Sequence, residues 1–70
     1  MKEHIINKVY ELRTQKGVTQ EGIALEVGVS RQTIIAIEKG NYTPSITLAL
    51  KLSRFFNVPT EKIFKISYEK

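Results

Sequence analysis

A three-residue break between two short helical segments constrains the fold of this chain more than any other feature. The segments QEGIALEV and RQTIIAIEK are separated only by Gly28, Val29 and Ser30. In each segment the apolar residues recur at the spacing of one helix face. Because so short a connection turns the chain sharply, the two helices are predicted to cross steeply rather than run side by side.

Polar caps and glycines mark the ends of both segments. Thr19 and Ser30 precede them, and hydroxyls at these positions accept hydrogen bonds from a helix N-terminus. Gly28 and Gly40 follow them, where a left-handed residue commonly ends a helix. We therefore predict helices over about 20–27 and 31–39, arranged as a helix-turn-helix.

Three further helices are predicted in the remainder of the chain. Asn7 is placed to cap the first of them, which ends near Lys16 before Gly17. Ser45 is placed to cap ITLALKLSRFF, whose apolar arc is wide enough to imply burial on two sides, within one domain or against a second copy. TEKIF forms the last helix, after a break at residues 57–59.

The two ends of the chain have the alternating pattern of short strands. KISYEK alternates in this way, and Ile5 with Ile6 does so weakly. We expect these ends to pair. The predicted fold is one all-α domain over residues 1–70, with five helices and a short β pairing of its ends.

Composition limits the classes of function. The chain has 70 residues, no cysteine, one histidine (His4) and no aspartate, so we expect no metal, no cofactor and no enzyme activity. Charges interrupt its apolar runs, so we expect no signal peptide or membrane span and a cytoplasmic location. Eleven Lys and Arg against seven acidic residues give a net charge of +4, which favours a polyanionic partner.

The outward side of the second segment is suited to a DNA groove. Ile34 and Ile37 point to one side of the helix, while Gln32, Ala36 and Lys39 point to the other. The major groove of B-DNA admits an α-helix, and amide and guanidinium groups match base edges there. The predicted base-contacting residues are Arg31, Gln32, Ile35 and Ala36.

Phosphate contacts are expected at the helix N-termini and in the loop after the second segment. Helix N-termini offer unpaired N–H groups and a partial positive charge to an anion. The predicted phosphate-contacting residues are Gln20, Ser30, Lys39, Asn41, Tyr42 and Thr43.

The stretch TQEGIALEVGVSRQTIIAIEKGNYTPS resembles the helix-turn-helix of the Xre family, which includes the phage Cro and lambda-type repressors. The likeness runs from about Asn7 to Phe64. It implies a lambda-repressor-like, usually dimeric, transcriptional regulator that binds double-stranded DNA. It also implies that Gln20 grips a phosphate and that Arg13 pairs with Glu38. By the same resemblance, Thr33 is a predicted base-contacting residue and faces bases or backbone together with Arg31, Gln32 and Ala36. Small members that resemble this chain dimerise through their last helices and ends, which implies an interface within about 55–68, at Phe55, Phe56, Ile63, Ile66 and Tyr68.

Three residues depart from the family pattern. Gly22 stands where Glu is common, which removes the capping-box partner of Thr19. Leu25 and Ile35 stand where charged and small or polar residues are usual. Two alternatives to a homodimeric repressor therefore stay open. One is an antitoxin or phage-immunity autorepressor that also binds a protein, and the other is a protein-interaction module that uses Leu25 and Ile35.

Overall fold

The computed structural model describes residues 2–69, which form five helices between two terminal strands. The elements are β1 (Lys2–Asn7), α1 (Val9–Lys16), α2 (Gln20–Val27), α3 (Arg31–Glu38), α4 (Ile46–Phe56), α5 (Thr60–Ile63) and β2 (Phe64–Glu69). The predicted fold class, five helices with the chain ends paired as strands, is confirmed. Within the described residues, no helix combines the length and apolarity needed to cross a membrane.

Hydroxyl side chains begin three of the helices, as the sequence predicts. The side-chain hydroxyl of each of these residues accepts a hydrogen bond from the backbone N–H three positions later in the chain. The distances are 2.9 Å at Thr19, 3.2 Å at Ser30 and 3.1 Å at Ser45. Gly28 ends α2 with a left-handed φ of 76°, a conformation that costs a residue with a Cβ atom about 1 kcal/mol or more. These local signals fix the boundaries of the helix-turn-helix.

Asn7 does not occupy the position predicted for it, the N-cap of the first helix. Its backbone belongs to β1, and Lys8 is the residue that precedes α1. The pairing of β1 with β2 extends through Asn7 and delays the helix. The Asn7 side chain still accepts the N–H of Val9 at 3.1 Å, and its amide donates to the Ile37 carbonyl at 2.8 Å. It therefore fastens the terminal sheet to α3.

The terminal strands pair antiparallel along their whole length. Lys2 is opposite Glu69 at one end of the sheet, and Asn7 is opposite Phe64 at the other. The Asn7 end continues directly into the helical body, where the Lys8 N–H donates to the Ile63 carbonyl at 2.9 Å. The sheet is thus a small extension of the domain, attached where α1 begins and α5 ends.

The core collects apolar side chains from all five helices. Its fully enclosed members, each at most 1% exposed, are Val9, Ile23, Ile34, Ile37, Leu52 and Ile63. Phe55, Phe56 and Phe64 are partly buried against this core. Because α3 contributes two isoleucines spaced three residues apart, one side of that helix is anchored and the opposite side faces outward.

Candidate nucleic-acid interface

The first feature of the candidate site is the crossing of α2 and α3. The two helices pack against each other across the turn at residues 28–30. The Val29 N–H donates to the Ala24 carbonyl at 2.9 Å, which closes the end of α2. Ser30 then caps α3 with its side chain. The turn is short and is hydrogen-bonded at both of its ends, so α2 holds α3 in a defined orientation.

The outward side of α3 combines exposed polar and partly buried small or apolar residues. Arg31 and Gln32 are exposed in the first turn, while Ile35 and Ala36 are half-buried farther along. Thr33 is also half-buried, and its hydroxyl lies 3.1 Å from that of Ser30. The residues predicted to contact bases therefore follow one side of a helix whose opposite side is enclosed.

An ion pair joins α1 to the end of α3. Arg13 Nε donates to Glu38 Oε2 at 2.7 Å, and Arg13 Nη2 donates to Glu38 Oε1 at 3.3 Å. The two side chains are 12% and 7% exposed. The hydrogen bond to Glu38 raises the pKa of Arg13, an effect that desolvation partly opposes and that the charges of Glu38 and Tyr10 reinforce. The structure thus brings the predicted pair together in a largely enclosed position.

Gln20 belongs to the same cluster through a hydrogen bond to Glu38 that is not predicted from the sequence. Its Nε2 donates to Glu38 Oε1 at 3.0 Å, and the residue is half-buried. Gln20 and Glu38 are 18 residues apart and belong to different helices. No pattern in the sequence indicates this contact, because it depends on the angle at which α2 and α3 cross.

A shallow depression of about 380 Å³ lies beside this cluster. Three helices and the loop before α2 contribute to it, and its lining residues are Arg13, Thr19, Gln20, Glu21 and Arg31. Two guanidinium groups, an amide and the exposed Glu21 carboxylate thus border a concave surface at the N-terminus of α2. The guanidinium and amide groups can donate hydrogen bonds to an anion.

The loop after α3 carries the remaining predicted phosphate contacts. Lys39, Asn41, Tyr42 and Thr43 are all exposed. The Asn41 N–H donates to the Ala36 carbonyl at 2.9 Å, which holds the start of this loop against the end of α3. These residues lie at the opposite end of α3 from Ser30, so the predicted phosphate contacts flank the helix.

Comparison with known proteins identifies the family. The family model described as helix-turn-helix matches residues 9–63, which includes all five helices. The chain belongs to the helix-turn-helix family.

Relatives of this helix-turn-helix protein are named as transcriptional regulators. It is 55% identical over 58 residues to an uncharacterized HTH-type transcriptional regulator of Methanocaldococcus jannaschii, covering 83% of this chain and 88% of that protein. It is 33% identical over 57 residues to the cryptic phage CTXphi transcriptional repressor RstR of Vibrio cholerae, covering 81% of this chain and 51% of the repressor.

A solved structure has the same architecture. The restriction-modification controller protein C.AhdI from Aeromonas hydrophila superposes with a TM-score of 0.73 at 31% identity. The match covers 79% of this chain and 83% of that one. Together these findings place the chain in a family of helix-turn-helix transcriptional regulators with a DNA-binding fold.

The residues predicted to form a dimer interface lie in three different environments. Ile63 is 1% exposed in the core of its own chain, so its inclusion in an interface is wrong: the side chain has no surface to offer a partner. Phe55 and Phe56 are half-buried, with ring centroids 5.2 Å apart in an edge-to-face contact. Ile66 and Tyr68 are exposed on β2. Only these last two present most of their apolar surface to solvent.

Two large apolar side chains of α4 are also exposed. Ile46 is 80% exposed and Leu50 is 58% exposed, and they lie four residues apart on one face of the helix. The wide apolar arc of α4 predicts burial on two sides, within one domain or against a second copy. Within one copy, Ile46 and Leu50 are not buried. Leu25 on α2 is exposed as well.

Proposed function

We propose that this helix-turn-helix protein is a sequence-specific, homodimeric transcriptional repressor that reads double-stranded DNA with α3. The observation that carries the proposal is the arrangement of α3. Ile34 and Ile37 are 0% exposed and anchor one side, while Arg31 and Gln32 are exposed at its capped N-terminus. An α-helix held in this way can enter the major groove with two side chains that can each form paired hydrogen bonds to a base edge.

Neutral and basic hydrogen-bond donors near both ends of α3 support contacts to the DNA backbone. Gln20 and Ser30 lie at helix N-termini, and Lys39 and Asn41 follow the far end of α3. Such contacts set the register of a protein on the duplex without reading sequence. The net charge of +4 adds a general attraction to DNA.

The size of the domain and its exposed apolar residues support dimerisation. A domain of this length buries only about 60% of its unfolded surface, so a partner subunit adds burial that one copy lacks. The proposed contact residues are the exposed Ile66 and Tyr68 of β2 and the half-buried Phe55 and Phe56 of α4. Two-fold symmetry then places two copies of α3 about 34 Å apart on an inverted repeat.

Repression is the proposed direction of regulation. Occupation of a promoter by the dimer is sufficient to exclude RNA polymerase. The likeness to a phage transcriptional repressor supports this direction of regulation.

Selection of bound duplexes from a random pool tests the proposal. The expected result is an inverted repeat whose half-sites are about 10 base pairs apart, centre to centre. A selected pool without a shared sequence would refute specific recognition, and a single unrepeated motif would refute the dimer.

A further inference from the structure

Glu38 joins three helices at one point. It ends α3, and its carboxylate accepts hydrogen bonds from Arg13 of α1 and from Gln20, the first residue of α2. Arg13 also donates from Nη1 to the Val18 carbonyl at 3.0 Å, just before the cap of α2. The ion pair is therefore connected to the N-terminus of α2 both through the backbone and through the Gln20 amide.

The bond to Glu38 fixes the orientation of the Gln20 amide. A carboxylate only accepts hydrogen bonds, so the nitrogen of the amide, and not its oxygen, lies toward Glu38. That nitrogen carries a second N–H. A phosphate oxygen is also only an acceptor, so this remaining N–H is the part of the side chain that can bind it.

The charge of the cluster is compatible with a neighbouring phosphate. A lone carboxylate at this position would repel DNA. Because Arg13 forms two hydrogen bonds to Glu38, the pair as a whole is neutral. Arg13 and Gln20 also line the depression at the N-terminus of α2, together with Arg31.

We propose that Glu38 is a positioning residue for DNA binding: it holds the Gln20 amide nitrogen ready for a backbone phosphate, while Arg13 cancels its charge. This inference rests on the proposed function. A free glutamine side chain loses rotamer freedom when it binds, whereas one that is already tethered loses less. Glu38 thereby strengthens a contact to DNA that it does not make itself.

Side-chain NMR relaxation of the free protein tests the tether without any mutation. The chain has two other glutamines, Gln15 and Gln32, and both are exposed. We expect the Nε2 order parameter of Gln20 to exceed those of both controls. Equal order parameters would overturn the proposal, because an amide that moves freely is not positioned.

A double-mutant cycle on duplex DNA tests the consequence for binding. Glu38→Met keeps the length of the side chain but removes both carboxylate oxygens, so it accepts from neither Arg13 nor Gln20. Gln20→Ala removes the contact itself. Each variant is expected to weaken binding to any duplex by about threefold to tenfold. Glu38→Met in the Gln20→Ala background is expected to change little beyond the effect of its charge, because both substitutions remove the same contact.

Glu21→Gln supplies the matched control for charge. Glu21 is exposed and lines the same depression, so its substitution measures the effect of removing one negative charge near DNA. If Glu38→Met bound DNA as tightly as Glu21→Gln, the hydrogen bond from Gln20 to Glu38 would contribute nothing to binding and the proposal would be overturned. Additive losses in the double variant would overturn it too, since they indicate a purely structural role.

The failure of this inference can be told apart from failure of the proposed function. All titrations are made at a temperature where circular dichroism shows each variant folded. If the unmodified protein shows no sequence preference, both ideas fall. If it selects an operator but the losses of Gln20→Ala and Glu38→Met are independent, only the positioning role falls. Should Glu38→Met not fold, the relaxation comparison decides.

Discussion

At the scale of single residues, Gln32 tests whether α3 reads bases. Its side chain is exposed in the first turn and supports no packing, so Gln32→Ala should leave the fold intact. We expect a loss of about 1–3 kcal/mol on the selected operator, the value of one paired contact to a base. Binding to a scrambled duplex should hardly change. Titrations of both duplexes check this, and equal losses would contradict base readout.

Arg13 tests the energetic role of the ion pair. Removing its guanidinium leaves the Glu38 carboxylate largely enclosed without a cation, so Arg13→Ala should lower the free energy of unfolding by about 3–5 kcal/mol. Urea denaturation measures this. Arg54→Ala is the control, because Arg54 is exposed on α4 and its loss should cost at most about 0.5 kcal/mol. Similar losses in the two variants would mean that the pair contributes no special stability.

At the scale of helices and strands, Ser30 tests the cap of α3. Ser30→Ala removes the acceptor for the Thr33 N–H and should cost about 0.5–2 kcal/mol of unfolding free energy. Asparagine at the same position keeps a side-chain oxygen, so Ser30→Asn should retain most of the stability. Thermal unfolding compares the two. If both variants melt together well below the unmodified protein, the hydroxyl has a role other than capping.

A structural feature can be predicted from the sequence when the residues that cause it lie close together along the chain. Ser30 and Gly28 act on residues within one turn of themselves, so the limits of α2 and α3 are readable from the sequence. The contacts of Asn7 and Gln20 are harder to predict. Asn7 bonds to a residue of α3 that is 30 positions away, and Gln20 bonds to one that is 18 positions away. Such contacts require the packing of the helices, which no short stretch of sequence specifies.

The same distinction applies to the interface residues. Ile63 and Ile66 are both isoleucines near the C-terminus, and their types alone do not separate core from surface. The fold separates them: Ile63 ends α5 against the core, whereas Ile66 lies in a two-stranded sheet. Pairing with Ile5 leaves Ile66 56% exposed.

At the scale of the whole molecule, Ile66 tests the proposed dimer. In a two-fold interface every substitution occurs twice, so Ile66→Glu would bring like charges toward each other and remove apolar contact. We expect a shift from dimer to monomer in sedimentation and a more than tenfold loss of operator affinity. Leu25→Glu is the control, because it introduces the same charge at an exposed residue outside the proposed interface. If the Ile66→Glu variant still sedimented as a dimer, β2 would be excluded from the interface.

The antiparallel register of β1 and β2 brings the start of β1 and the end of β2 side by side, with Lys2 opposite Glu69. A short peptide bridge from Glu69 to Lys2 would therefore close these residues into a ring without bending any helix. The unfolded ring would have fewer conformations than the open chain, so circularisation should raise the melting temperature. In such a ring, new chain termini can be introduced at another position in the molecule.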